Sequence, residues 1–190
     1  MIFHFLLTTI IASTLVSGQL LEKTVKATSP SNKTCIEIGR LTNISRCESF
    51  KCFEDRFPCG NQYFNIRWGM RYCSKYSNTN FMGSFKPDAR KFFNLTNQCL
   101  AKWLENSYEK ETAIKCKTFH QNAFKEQTKC YEEHQDLFCK ILPENAEQFK
   151  KLIDIKDFND QSFATMMKYT CSKCKPSIDL IKIMSTGRSG

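Results

Sequence analysis

Eleven cysteines in 190 residues constrain this chain more than any other feature. That density implies an oxidising compartment and a disulfide framework. Five of them (Cys35, Cys47, Cys52, Cys59 and Cys73) crowd into about forty residues, so only short helical pieces fit between them. Four more (Cys99, Cys116, Cys130 and Cys139) lie between Phe92 and Cys139, where the sequence otherwise reads as two helices. Cys171 and Cys174 close the series. An odd count leaves one cysteine over, which in a secreted protein favours a bond to a second chain.

The helical reading rests on period. Phe92, Phe93, Thr96, Cys99, Leu100, Trp103 and Leu104 recur at three- and four-residue steps, and Pro87 suits the first turn of that helix. A second run follows: Ala113, Cys116, Phe119, Ala123, Cys130, Leu137 and Ile141. Cys116 and Cys130 are fourteen residues apart, close to four turns, so they share its apolar face. Cys139, nine residues further on, points away and is expected to bond to a different element. The turn between the two runs is expected near Asn106–Lys110. Pro143 is expected to break the second helix and begin a third carrying Phe149, Leu152 and Ile153. Asn159 or Asp160 can cap a fourth with Phe163, Met166, Met167 and Cys171 on one side. Tyr63 to Ser74 suggests one short helix, Ser77–Ser84 a loop, and Ile178 to Met184 a short amphipathic helix. With few Gly and Pro, the expected fold is all-α: a disulfide-rich helical domain of four to five helices with a cysteine-dense N-terminal segment.

Residues 1–18 carry no Lys, Arg, Asp or Glu, and Phe5–Val16 is apolar. They read as a signal peptide, since the run is shorter than the ~20 residues of a membrane span. Residues 19–34 are expected to be a flexible leader, 35–175 the disulfide-bonded domain and 176–190 a short tail. Secretion to the extracellular space follows, with no membrane span in the mature chain. Three sequons, at Asn32, Asn43 and Asn94, fit that destination. Asn94, Asn97, Gln98, Ala101, Lys102 and Glu105 form the face opposite the Phe/Trp stripe, so a glycan on Asn94 is expected to point to solvent.

The formal charge is +9. Lys117, Lys125 and Lys129 fall at four-residue multiples on the second helix, with Lys110 and Lys115 nearby. The stripe is either a solvated face or a surface for acidic glycans such as heparan sulfate, or for an acidic protein. No nucleic-acid recognition motif is present.

The cysteine order and the residues around it resemble the stanniocalcin family of secreted glycoprotein hormones. The matching text is Cys47-Glu48-Ser49-Phe50-Lys51-Cys52-Phe53-Glu54, Cys99-Leu100-Ala101, Cys116 with Thr118-Phe119, Cys130-Tyr131, Cys139, Pro143-Glu144-Asn145-Ala146, Asp157-Phe158 and Cys171. It covers Cys35 to about Cys171. The resemblance implies the pairs Cys35–Cys52, Cys47–Cys73, Cys59–Cys116, Cys99–Cys130 and Cys139–Cys171. It also implies hormone-like regulation of calcium and phosphate handling, with a cell-surface receptor or a pappalysin-type protease as partner. Members form homodimers through an odd cysteine. Here the odd one is Cys174, which can bridge two chains, cap a free thiol or exchange with Cys171. One implied pair conflicts with simple geometry. In a straight hairpin turning near residue 108, Cys99 sits nearest Cys116, and Cys130 is displaced by about 20 Å. Either the second run bends, near Gln121–Asn122, or the hairpin is not simple.

Catalytic chemistry finds little footing. Cys171-Ser172-Lys173-Cys174 has C-x-x-C spacing without a thioredoxin-like context or a second ligand pair. His120 and His134 are too far apart on one helix for a shared metal and read as polar-edge residues. Asp154–Asp160 lacks the Gly and Glu of a calcium loop and reads as capping sequence. The expectation is a chain that is not an enzyme and carries no cofactor. The rival reading is a helical glycan-binding or effector scaffold without hormone activity.

Overall fold

The structure, a computed structural model, describes residues 21–32 and 47–185. Its organising piece is a helical hairpin. Helix α4 (Pro87–Lys110) begins with Pro87 in its first turn and buries Ala89, Phe92, Phe93, Thr96, Leu100, Leu104 and Tyr108 along one stripe. Helix α5 (Cys116–Glu132) packs antiparallel to it and buries Phe119, His120, Ala123, Phe124, Cys130 and Tyr131. Before the hairpin come α1 (Glu48–Arg56), a π-helical turn (Asn65–Met70), α2 (Arg71–Ser77) and α3 (Thr79–Gly83). After it come α6 (Gln135–Glu144), α7 (Ala146–Leu152), a 3-10 turn (Ile155–Asn159), α8 (Gln161–Ser172) and α9 (Leu180–Ser185). Nine α-helices among the described residues replace the expected four to five. The all-α, disulfide-rich class is correct.

The conflict over Cys99–Cys130 resolves at the hairpin turn. Helix α4 runs on to Lys110, and an extended connector, Glu111–Lys115, separates it from α5. Cys99 is eleven residues from the end of α4 and Cys130 fourteen residues into α5, rises of about 17 and 21 Å. The two cysteines therefore come level, and their Cα atoms lie 5.8 Å apart. Helix α5 is unbroken at Gln121–Asn122. The break in the second run lies instead at Glu133–His134, where His134 leaves helical geometry (φ −129°, ψ 32°). That redirection lets Phe138 of α6 pack on both Phe92 and Tyr131. Pro143 ends no helix: it sits inside α6, one residue before its end, and Asn145 (φ −126°, ψ 31°) makes the break. The buried Asn145 side chain accepts from Lys86 N and donates to Ile141 O, tying that break to the start of α4.

Two stretches expected to be irregular are ordered. Thr24–Lys26 forms β1, antiparallel to β2 (Ala113–Lys115), with Val25 opposite Ile114 and both buried. This part of the predicted leader therefore docks on the hairpin turn. Arg56 secures it: the buried guanidinium donates to Ser29 O (2.8 Å) and Glu111 O (3.2 Å) and lies over Phe57 and Tyr108. Within the predicted loop Ser77–Ser84, Asn78 caps α3 by accepting from Phe81 N, and Met82 is buried beneath it.

The bridges Cys47–Cys73, Cys59–Cys116 and Cys99–Cys130 are present, the same pairs that the resemblance implies. Cys52 is disulfide-bonded; Cys35 lies outside the described residues, as do Asn43, residues 1–18 and the last five residues of the tail. Two expectations differ from the structure. Cys139 pairs with Cys174, not Cys171, and Cys174 is thereby committed within its own chain. The reason is helical phase. Cys171 falls in step with Phe163, Met167 and Thr170 on the buried face of α8, so its thiol enters the core. Cys174 lies just past the helix end, where the chain folds back (Cys174 N and Ile178 N both donate to Cys171 O) beside α6. Gln135 seals the junction, its amide donating to Thr170 O and to both bridge sulfurs. Leu180 and Met184 of α9 then cover α7 and α8.

Candidate functional site

The lysine stripe is split by the fold. Lys117 stands in the first turn of α5, where Glu22 accepts from Lys117 N and from the Thr118 hydroxyl. Lys125 and Lys129 lie two to three turns further on, exposed, and line a groove of about 570 Å³ between α5 and α8. Phe124 and Met166 contribute to its apolar lining, while Gln121, Thr128, Gln161, Ser162 and Thr165 supply uncharged polar groups. Tyr169 is 39% exposed there, one of two large hydrophobic side chains left so open among the described residues. Its hydroxyl donates to Glu132 at 2.6 Å, and Lys173 Nζ lies 4.8 Å from its ring centroid. Lys129 is paired with Glu126 at 2.8 Å. The groove thus offers cations, amide and hydroxyl hydrogen bonds, and one aromatic face.

Beneath it, a buried pair joins the same two helices. His120 and Asp160 side chains are 1% and 7% exposed, with Nε2 and Oδ2 3.0 Å apart, off the line of a good hydrogen bond. Asp160 also caps α8, accepting from Ser162 N and Phe163 N. Burial alone would raise this carboxyl; contact with His120 and the two N–H groups outweigh it and hold it below the ordinary value. Asp160 was legible as a cap. His120 was misread as a polar-edge residue, because apolar neighbours at helical spacing do not reveal a partner forty residues away.

A second polar cluster was missed entirely. Asp157, 1% exposed, accepts from Arg71 and from the Tyr72 hydroxyl, and fixes the 3-10 turn to α2. Burial, then the Asp157 carboxylate, push the Tyr72 hydroxyl far above its usual range. The Asp154–Asp160 stretch is therefore a brace with caps at both ends. Among the described residues no group of three or more His, Cys, Asp or Glu is placed to hold a metal. No helix there is long and apolar enough to cross a membrane.

Sequon Asn94-Leu95-Thr96 lies inside α4. Asn94 is half-buried and accepts from Gln98; the Thr96 hydroxyl is buried and donates to Phe92 O. The face expected to point a glycan to solvent is exposed at Gln98 and Lys102 and half-buried at Asn94, Asn97, Ala101 and Glu105, and Asn94, Asn97, Gln98 and Ala101 also rim an aromatic cavity. Asn32 is exposed, and its backbone N donates to the Tyr108 hydroxyl. No family model, no curated protein and no solved structure matches this chain.

Proposed function

We propose that this chain is a secreted, glycosylated signalling protein resembling stanniocalcin, which acts on calcium and phosphate handling by protein–protein recognition. The observation that supports this reading best is the cystine framework. Cys47–Cys73, Cys59–Cys116 and Cys99–Cys130 pair as the resemblance implies: the first joins the start of α1 to α2, the second ties the segment after α1 to the start of α5, and the third links α4 to α5. Such a frame suits a rigid surface that a cell-surface receptor or a pappalysin-type protease reads. A Cys174-linked dimer forms no part of the proposal, since that cysteine bridges to Cys139. The test is purified protein applied to an epithelial layer with calcium and phosphate flux measured, alongside binding to a pappalysin-type protease. Absence of both effects removes the hormone reading.

The α5–α8 groove favours a second reading, an acidic-glycan site. Sugars stack on an exposed aromatic ring and sulfates pair with lysine. If glycan lies in the groove, Lys125→Glu with Lys129→Glu lowers the salt needed to elute the protein from heparin, and Lys117→Glu does so far less. Equal effects from all three substitutions, or elution below physiological salt, mark the stripe as a solvated face.

A further inference from the structure

Which acidic glycan the α5–α8 groove would take is written in its charges; the inference rests on the acidic-glycan reading of that groove. The two helices run alongside each other in the same direction. His120 meets Asp160 at one end (3.0 Å), and the Tyr169 hydroxyl donates to Glu132 at the other (2.6 Å). From His120 to Glu132 is twelve residue steps along α5, a rise of about 18 Å. The groove is therefore a short channel with a defined direction, long enough for a few linked sugar rings.

Charge is uneven in two directions. Across the groove, Lys125 and Lys129 stand on the α5 wall, while the α8 wall presents Gln161, Ser162 and Thr165, none of them charged. Along the groove, the two lysines precede Glu132, whose carboxylate lies at the Tyr169 end. Lys129 shares its charge with Glu126 at 2.8 Å, so Lys125 is the less committed cation. Lys173 Nζ sits over the Tyr169 ring, 4.8 Å from the centroid, and is outside the groove lining.

A uniformly sulfated chain matches this pattern badly. One of its sulfates would face Glu132, and like charges set against each other across an interface are strongly unfavourable. Others would face the α8 wall, where amides and hydroxyls can hydrogen-bond but cannot balance a charge taken out of water. The same α8 groups match the hydroxyls and acetamido groups of an uncharged sugar, and Tyr169 offers ring surface to its apolar face. We infer that the groove selects a sparsely sulfated saccharide, with its acidic groups along the one edge that meets Lys125 and Lys129 and an uncharged, N-acetylated sugar at the Tyr169 end.

The test compares two heparan-type tetrasaccharides of equal length by calorimetry on the whole mature chain at physiological salt. One is sulfated on every ring; the other carries sulfate on one glucosamine and an acetyl group on the other. Binding is counted as the part that Lys125→Glu with Lys129→Glu removes, which excludes attraction to the rest of a basic protein. The sparsely sulfated compound is expected to bind at least about fivefold more tightly. Glu132→Gln keeps an acceptor for the Tyr169 hydroxyl and removes the charge, so the preference narrows. Thr165→Lys adds a cation to the α8 wall and turns the preference towards the uniformly sulfated compound. Equal or tighter binding of the uniformly sulfated compound by the native chain overturns the inference and leaves the groove a glycan site, as does a preference that neither Glu132→Gln nor Thr165→Lys moves. Binding of neither compound, or binding that is indifferent to Lys125 and Lys129, overturns the acidic-glycan reading and the inference with it.

Discussion

Substituting Cys171 by alanine separates the observed cystine framework from the one the family resemblance implies. In the structure Cys171 is a free thiol, 3% exposed, and burial pushes its pKa up to about 12. Cys139–Cys174 closes a loop with a sequence separation of 35, for which loss of unfolded-state entropy corresponds to about 4 kcal/mol. Cys171→Ala leaves that loop intact and removes one buried sulfur, at a cost of about 1 kcal/mol. Were Cys139 bonded to Cys171, the same substitution would open a loop of nearly the same length and cost about 4 kcal/mol. The difference of about 3 kcal/mol corresponds to roughly 6–12 °C in melting temperature for a chain of this size. The assay is urea unfolding of the non-reduced protein with peptide mapping of the same material. Cys171→Ala is preferred to Cys174→Ser, since loss of Cys174 invites Cys139 to capture Cys171. A Cys171→Ala protein that loses about 4 kcal/mol, or whose Cys139 is found unpaired, refutes the observed pairing.

Gly69→Ala is expected to destabilise by about 1–3 kcal/mol through overpacking, because a Cβ there falls 2.2 Å from the Phe50 ring; thermal melts check this, and Phe50→Leu restores part of the loss. Asp157→Asn leaves Arg71 and Tyr72 without their shared carboxylate; since Arg71 is 37% exposed and partly screened by water, the loss is about 2–3 kcal/mol rather than the full cost of a broken buried pair. Alkaline titration is expected to unfold the protein early. Burial raises the Cys171 thiol and the Tyr131 hydroxyl to about 12 from 9.0 and 10.0. The unfolded chain therefore ionises first, and their stabilisation, complete below pH 9, drains away as pH rises towards 12. Circular dichroism at constant temperature follows it, and a flat profile from pH 9 to 12 contradicts the burial of these groups.

What the sequence revealed and what it concealed divide along local and non-local lines. The α4 stripe, the role of Pro87 and the Asp160 cap depend on residues within one or two turns and were legible. Cys139 does bond to a different element from Cys116 and Cys130, but the helical phase expected to send it there required a continuous helix, and the run breaks at His134. The connector Glu111–Lys115 was not legible, because its extended form is set by pairing with Thr24–Lys26 almost ninety residues earlier. The fate of Cys171 and Cys174 turned on where α8 ends, a boundary that composition fixes poorly. His120–Asp160 and Arg71–Asp157–Tyr72 join residues that only the tertiary fold brings together. The groove was half legible: the spacing of Lys125 and Lys129 pointed to it, while Tyr169 and the polar wall of α8 came from the packing of α5 on α8.

The central claim is an extracellular protein held in one fold by cystines. The most direct measurement expresses the full chain, leader included, in secretory cells, then counts thiols and maps disulfides on what leaves them. The account predicts protein in the medium beginning near Gln19, with links Cys47–Cys73, Cys59–Cys116, Cys99–Cys130 and Cys139–Cys174, with Cys52 also in a disulfide, and with one thiol, at Cys171, that reacts only after unfolding. Protein retained inside the cell with its cysteines reduced, or secreted with Cys174 joined to a second chain, contradicts it.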